Sequence, residues 1–194
     1  MLHNEYLKEK DGKLSMLPWD YNLAWGNFPA DGGFGHTNEA SVTLNLGMDS
    51  PLALSGVTED KRPMWAWIPE DEASLLQYHD AMDRLLRENF ENGAFDEKAD
   101  KLYEMILPWV EKDPTAFYTP EEFTEGYGEL KTKAKLRAES IRRQLEGTLA
   151  PVSADQKAED RVDTTGIELG AQDSQACLFV CFANAWFLDA AYRI

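Results

Sequence analysis

Cysteine is almost missing from this chain. Two are present in 194 residues, Cys177 and Cys181, too few for a small disulfide-stapled fold. Four residues apart, they read as two small buried apolar side chains on one helix face. Histidine is equally scarce. His3, His36 and His79 are scattered without the spacing of a zinc site. Basic residues are outnumbered, with 19 Lys and Arg against 35 Asp and Glu and a net charge of -16. That balance excludes a phosphate-tracking nucleic-acid surface and an anionic membrane surface. The chain carries no internal repeat, no serine-hydrolase elbow, and no long apolar run before its last nineteen residues.

What remains is globular composition, 43% apolar and 28% charged, in a chain long enough for one domain and a tail. Residues 3–9 and 13–19 read as two short strands turning at Asp11-Gly12, a strong hairpin signal. Residues 26–63 are rich in Gly, Pro, Asp and Asn, and read as a long loop of the kind that tends to be functional. Three amphipathic helices follow. The first runs from Asp71 to Phe90 on the stripe Leu75, Tyr78, Met82, Leu85, Leu86 and Phe90. The second runs from Phe95 to Lys112, with a kink expected at Pro108. The third has the clearest start: Thr119 as cap, Pro120 at the first helical position and Glu122 closing a capping box. It stops at Gly147.

Beyond Gly147 the composition changes. Residues 151–175 are polar and are expected to form a linker or disordered tail. Residues 176–194, ACLFVCFANAWFLDAAYRI, are strongly apolar and brush the lower length limit for a membrane span. Asn184 and Asp189 would be costly in lipid, so docking on the core or on a partner is the expectation rather than a span. The expected division is therefore 1–150, 151–175 and 176–194.

The hairpin raises the chemical question. With Asp11-Gly12 as its turn, Lys10 faces Lys13, Asn4 faces Trp19 and His3 faces Asp20. Asn4 and Asp20 thus share the open end, although strict alternation points them to opposite faces unless the ladder ends early at Pro18. An amide oxygen and a carboxylate brought together suit Mg²⁺ or Mn²⁺. Protein kinases follow this plan: a catalytic-loop Asn, a short hairpin, then an Asp that holds the nucleotide's metal. A surface hairpin with a polar end remains the plainer alternative. DGGFGH at 31–36 lacks the strand and helix of a phosphate-binding fingerprint. Arg62 suits either an ion pair that orders the loop or an ordinary surface position, and His79 reads as structural. Nothing selects the carboxylate pair that a glycosidase would need.

The stretch LHNEYLKEKDGKLSMLPWDYNLAWG, residues 2–26, resembles the spore coat protein H (CotH) kinase family, with PWDYN its most specific part. KRPMWAWI at 61–68, VEKDPTAFYTPEEF and LRAESIRRQLEG resemble its later segments, so the resemblance covers residues 2 to about 150. It implies an α+β fold, the C-terminal lobe of an atypical protein-kinase-like domain with the N-terminal lobe missing. It implies ATP with a divalent metal as cofactors, Asp20 as the metal and nucleotide-site ligand, and Asn4 as a weaker one. The implied partner is a Ser-containing protein, such as a basic coat protein, and the implied location is the spore coat or cell envelope. The family's base Asp lies upstream of the HN block, and its ATP-binding lobe lies further upstream still. Neither is in this chain, so the chain alone is expected to be inactive. The alternative is a non-catalytic surface or spore-coat binding module.

Overall fold

The computed structural model describes residues 5–18, 39–116 and 118–169. Two strands, β1 (Glu5–Lys10) and β2 (Lys13–Pro18), pair antiparallel. Then come α1 (Ala40–Thr43), a 3-10 turn at Glu59–Lys61, α2 (Pro63–Ala66), α3 (Glu72–Leu85), α4 (Ala94–Val110) and α5 (Pro120–Leu145). Strand and helix together bear out the α+β expectation at that level. Residues 170–194 lie outside the described range, and the apolar C-terminal segment lies within them. Among the described residues no helix is long and apolar enough to cross a membrane.

The helices form where their caps and stripes predict. Asp71 accepts the Ser74 amide at 2.8 Å and starts α3. Thr119 Oγ1 accepts the Glu122 amide at 3.2 Å, and Glu122 Oε2 accepts the Thr119 amide at 2.7 Å, so both halves of the capping box are made. Such a cap contributes about 1 kcal/mol. Gly147, with φ +75°, ends α5 in the left-handed region that favours glycine. Helix α4 continues through Pro108 to Val110. The expected end of the first helix at Phe90 is refined: α3 widens into a π-helical turn over Leu86–Glu91, which buries Leu86.

Helix α5 is the centre of the fold. Its first half packs Phe123 and Leu130 against Ile106 and Val110 of α4. Tyr103 stacks between Phe123 and Tyr127, with centroids 5.7 and 4.4 Å away. Its second half packs Ala138 and Ile141 against Leu86 and Met48. The flank of α4 and α5 carries a polar lattice. Lys131 reaches Asp96 at 2.9 Å and Asp100 at 2.7 Å, Lys135 reaches Asp96 at 2.8 Å, and the Tyr127 hydroxyl donates to Asp100.

Two stretches differ from expectation. Residues 39–63 belong in part to the core rather than to a loose loop. Ala40, Leu44 and Met48 are buried, and their four-residue spacing is a helical stripe hidden among Gly, Asn and Asp. Residues 151–169 likewise pack rather than trail away, with Val162 and Leu169 buried. Their order comes from polar contacts that hydropathy does not register. Asn45 Oδ1 accepts the Val162 amide at 3.0 Å, and Gln156 Nε2 donates to the carbonyls of Asn45 and Ala150 at 2.7 and 3.0 Å. Gly47 sits so close to this segment that a Cβ there would stand 2.4 Å from the Pro151 carbonyl oxygen and 2.5 Å from the Ser153 nitrogen.

Two outcomes follow for stability. Gly47→Ala drives a methyl group into backbone atoms and should cost about 1–3 kcal/mol, the range of overpacked sites. Val162→Ala should cost about 1.5 kcal/mol by lost burial, a fall in Tm of about 3–6 °C at this chain length. Thermal melts of both variants check this, and unchanged melts would detach 151–169 from the core. The second outcome concerns acid. Asp96 is held below the ordinary carboxylate range by its hydrogen bond to Lys135, and Asp100 by its bond to Lys131. Because these pKa values fall on folding, the stability is present above about pH 4 and is lost as pH drops through the lowered values. The Tm of Asp100→Asn should therefore fall less steeply than wild type between pH 5 and 2.5.

Candidate functional site

The hairpin is built by its turn. Asp11 has φ 55° and Gly12 has φ 76°, the two positive values that a type I′ turn requires and that match the twist of the flanking strands. Glu9 Oε1 accepts the Gly12 amide at 2.6 Å and closes the turn. The register runs from Lys10↔Lys13 to Glu5↔Pro18, the pairing expected from sequence over this range, with Pro18 included as the last residue of β2. Tyr6, Lys8, Lys10, Lys13 and Ser15 share one face, and Leu7, Glu9 and Leu14 share the other. Tyr6, Leu7 and Leu14 are 61%, 50% and 67% exposed. The two strands touch only each other among the described elements, and a lone two-stranded sheet is marginally stable in water.

Asn4 and Asp20, the expected metal ligands, lie outside the described residues, one position before Glu5 and two after Pro18. So do His3, Trp19 and the Gly-rich stretch 31–36. The ligand pair is therefore neither brought together nor separated by the described structure. Its donor set, one carboxylate and one amide oxygen, matches a hard divalent cation. Among the described residues, no group of three or more His, Cys, Asp or Glu is placed to hold a metal.

The remaining sequence candidates resolve as structure. His79 Nε2 lies 2.7 Å from Asp49 Oδ1 and ties α3 to the 47–50 turn, a structural position as expected. Tyr78 beside it donates to the Met48 carbonyl at 3.0 Å. Arg62 stands at the N-cap position of α2 without a side-chain cap bond, and donates Nη1 to the Lys61 carbonyl at 3.0 Å. No carboxylate lies within ion-pair distance of it among the described residues, so the loop-ordering ion pair is not formed there.

Sequence periodicity passed over the residues that do most to hold the 44–50 segment. Arg137, on α5, donates Nη1 to the carbonyls of Leu44 and Leu46 at 3.2 and 2.5 Å. Burial lowers its guanidinium to about 10, which still leaves it charged at neutral pH. Gln144 is buried. Its Oε1 accepts the Met48 amide at 2.6 Å, and its Nε2 donates to the Leu46 carbonyl at 3.3 Å and to Ser140 Oγ at 3.2 Å. A helix stripe scored on apolarity skips both residues, because their value lies in donors and acceptors. Gln144→Leu would strand the buried Met48 amide, while the Leu46 carbonyl keeps Arg137. It should cost about 1–3 kcal/mol, the range for one orphaned buried group, and chemical denaturation measures it.

No curated protein and no solved structure matches the chain. One family model does, described as CotH kinase protein, and it aligns with residues 1–141. That span holds the hairpin, the Asn4 and Asp20 positions, and α1 through most of α5. By this match over more than two thirds of its length, the chain belongs to the CotH kinase family.

Proposed function

We propose that this chain forms the metal-binding and substrate-facing part of an atypical Ser/Thr protein kinase. Family membership over residues 1–141 is the observation that carries this reading. Asn4 and Asp20 flank the paired strands in sequence, one residue before Glu5 and two after Pro18. Asp20 would supply the carboxylate and Asn4 the amide oxygen for Mg²⁺ or Mn²⁺. The bound cation would neutralise charge on the phosphates of ATP. The Asp11-Gly12 turn sets the register of the two strands that lie between the two ligand positions in sequence. In this reading the 194-residue chain binds the cation and does not transfer phosphate by itself. A place in the spore coat or cell envelope belongs to the same proposal.

The substrate half rests on charge. In a chain of net charge -16, the start of α5 presents Glu121 and Glu125 to solvent, suited to Lys and Arg beside a target Ser. Glu122, from the same acidic run, is held by the Thr119 cap and contributes less. A non-catalytic binding module is the second reading, and the exposed Tyr6, Leu7 and Leu14 of the hairpin favour it.

Titrating the chain with Mn²⁺ in the presence of ATP separates the two. Saturable binding that weakens at least tenfold in Asp20→Ala, and less in Asn4→Ala, supports the kinase. Binding indifferent to Asp20→Ala favours the module. Transfer of ³²P from ATP to protein by the 194-residue chain itself would overturn its assignment as inactive alone. In a longer protein that carries this chain and its own base, Asp20→Ala should lower kcat by about 10²-fold or more, the scale of losing one preorganised electrostatic group. There, a basic Ser peptide should exceed an acidic one about tenfold in kcat/KM at low salt, which needs only about 1.4 kcal/mol. That preference should shrink at high salt, because exposed pairs are screened. Equal values at low salt would remove the charge argument.

A further inference from the structure

A cavity of about 220 Å³ lies between α5 and the turn at 166–168. It is lined by Glu129, Thr132, Lys133, Gly166, Ile167 and Glu168. Its charges are layered. The Lys133 side chain is only 3% exposed, and its ammonium meets one carboxylate, Glu129 Oε2, at 3.1 Å. An ammonium carries three N–H donors, so a single acceptor leaves this buried cation under-satisfied. Glu129 is 49% exposed at the rim. Glu168 is also exposed and pairs with no cation among the described residues. Thr132 donates its hydroxyl to the Gly128 carbonyl at 3.0 Å and keeps oxygen lone pairs for an incoming donor. Gly166, at φ +79°, leaves open space where a Cβ would stand. Ile167 packs against the Ala40–Leu44–Leu169 cluster and gives the cavity an apolar wall.

We propose that this cavity binds a small zwitterion, an α-amino acid being the simplest member of the class, with the ligand carboxylate on Lys133 and its ammonium between Glu129 and Glu168. Charge selects this ligand over its halves. A simple anion would gain Lys133 but face two carboxylates. A simple cation would gain the rim but sit above a buried ammonium. Only a molecule with both charges complements floor and rim together, and its carboxylate gives Lys133 the second acceptor it lacks. Size agrees, since the cavity holds the liquid volume of about seven waters at about 30 Å³ each, and alanine or serine has a similar number of heavy atoms. This inference is independent of the kinase reading, because the cavity shares no residue with the hairpin.

The test follows the Gly166 and Ile167 amides by ¹H–¹⁵N NMR while L-alanine, acetate or methylammonium is added to the full chain at constant ionic strength. L-alanine should shift both amides saturably, and acetate and methylammonium should bind at least tenfold more weakly. Glu168→Gln, an exposed change that leaves folding untouched, should weaken L-alanine at least tenfold, and Lys133→Met should abolish the shift. The unchanged remainder of each variant's spectrum reports its fold. The proposal is overturned if no saturable shift appears up to about 50 mM, if acetate alone binds as well as alanine, or if Glu168→Gln binds alanine like wild type.

Discussion

The fold depends on one grip: α5 holding the backbone of residues 44–50 by side chains that satisfy its donors and acceptors. Residues 44–50 enter a regular element only through the short α1 before them, so the Leu44 and Leu46 carbonyls and the Met48 amide would otherwise be buried without partners. Arg137 and Gln144 supply those partners. With the 44–50 segment fixed, Met48 can enter the cluster with Leu86 and Ile141, and Asn45 can bridge to Val162. The same segment anchors α3 through His79 and Tyr78. One turn of irregular chain thus joins α3, α5 and the 150–169 strap. Its polar cost is met by α5 rather than by water.

The hairpin stands outside this arrangement. It takes its geometry from Asp11 and Gly12 and from its own ladder, not from the helices. Such an element can hold two chain segments at a set spacing while presenting its faces elsewhere. The division suits a site assembled from more than one piece. In the proposed reading, the helical body would supply charge and the hairpin would supply the register of the strands between Asn4 and Asp20 in sequence.

Sequence legibility followed the physics of each element. Helix α5 was readable to the residue at its start, because Thr119, Pro120 and Glu122 act locally and need no tertiary partner. The Asp11-Gly12 turn was readable for the same reason. The strap at 151–169 was not, because Gln156 and Arg143 order it through hydrogen bonds to carbonyls more than by apolar burial. Ala40, Leu44 and Met48 did leave a four-residue spacing, but neighbouring Gly, Asn and Asp residues masked it as loop. The π-helical turn at Leu86–Glu91 left no periodic trace, since one extra residue in a turn does not disturb an apolar stripe enough to notice. Lys133 was invisible as a site because its meaning depends on Gly166 and Glu168, more than thirty residues away. Asn4 and Asp20 were named from chemistry and family motif, and both lie outside the described residues.

Charge ties the body to the proposed activity. A net charge of -16 spread evenly would repel itself and favour any cation equally. The arrangement is uneven. Lys131 and Lys135 are drawn to Asp96 and Asp100, Arg142 to Asp83 and Glu91, and Arg143 to Glu139. These pairs tie α5 to α4, to α3 and to the π-helical turn, and leave Glu121 in the first turn of α5 without a cation partner among the described residues. An acidic helix start is also favourable in itself, because the N-terminal end of the helix dipole attracts negative charge. Glu121 therefore needs no counter-ion to be stable where it is. A carboxylate stabilised by its own helix can hold its position before any partner arrives, so a basic peptide would meet a surface that has little left to reorganise.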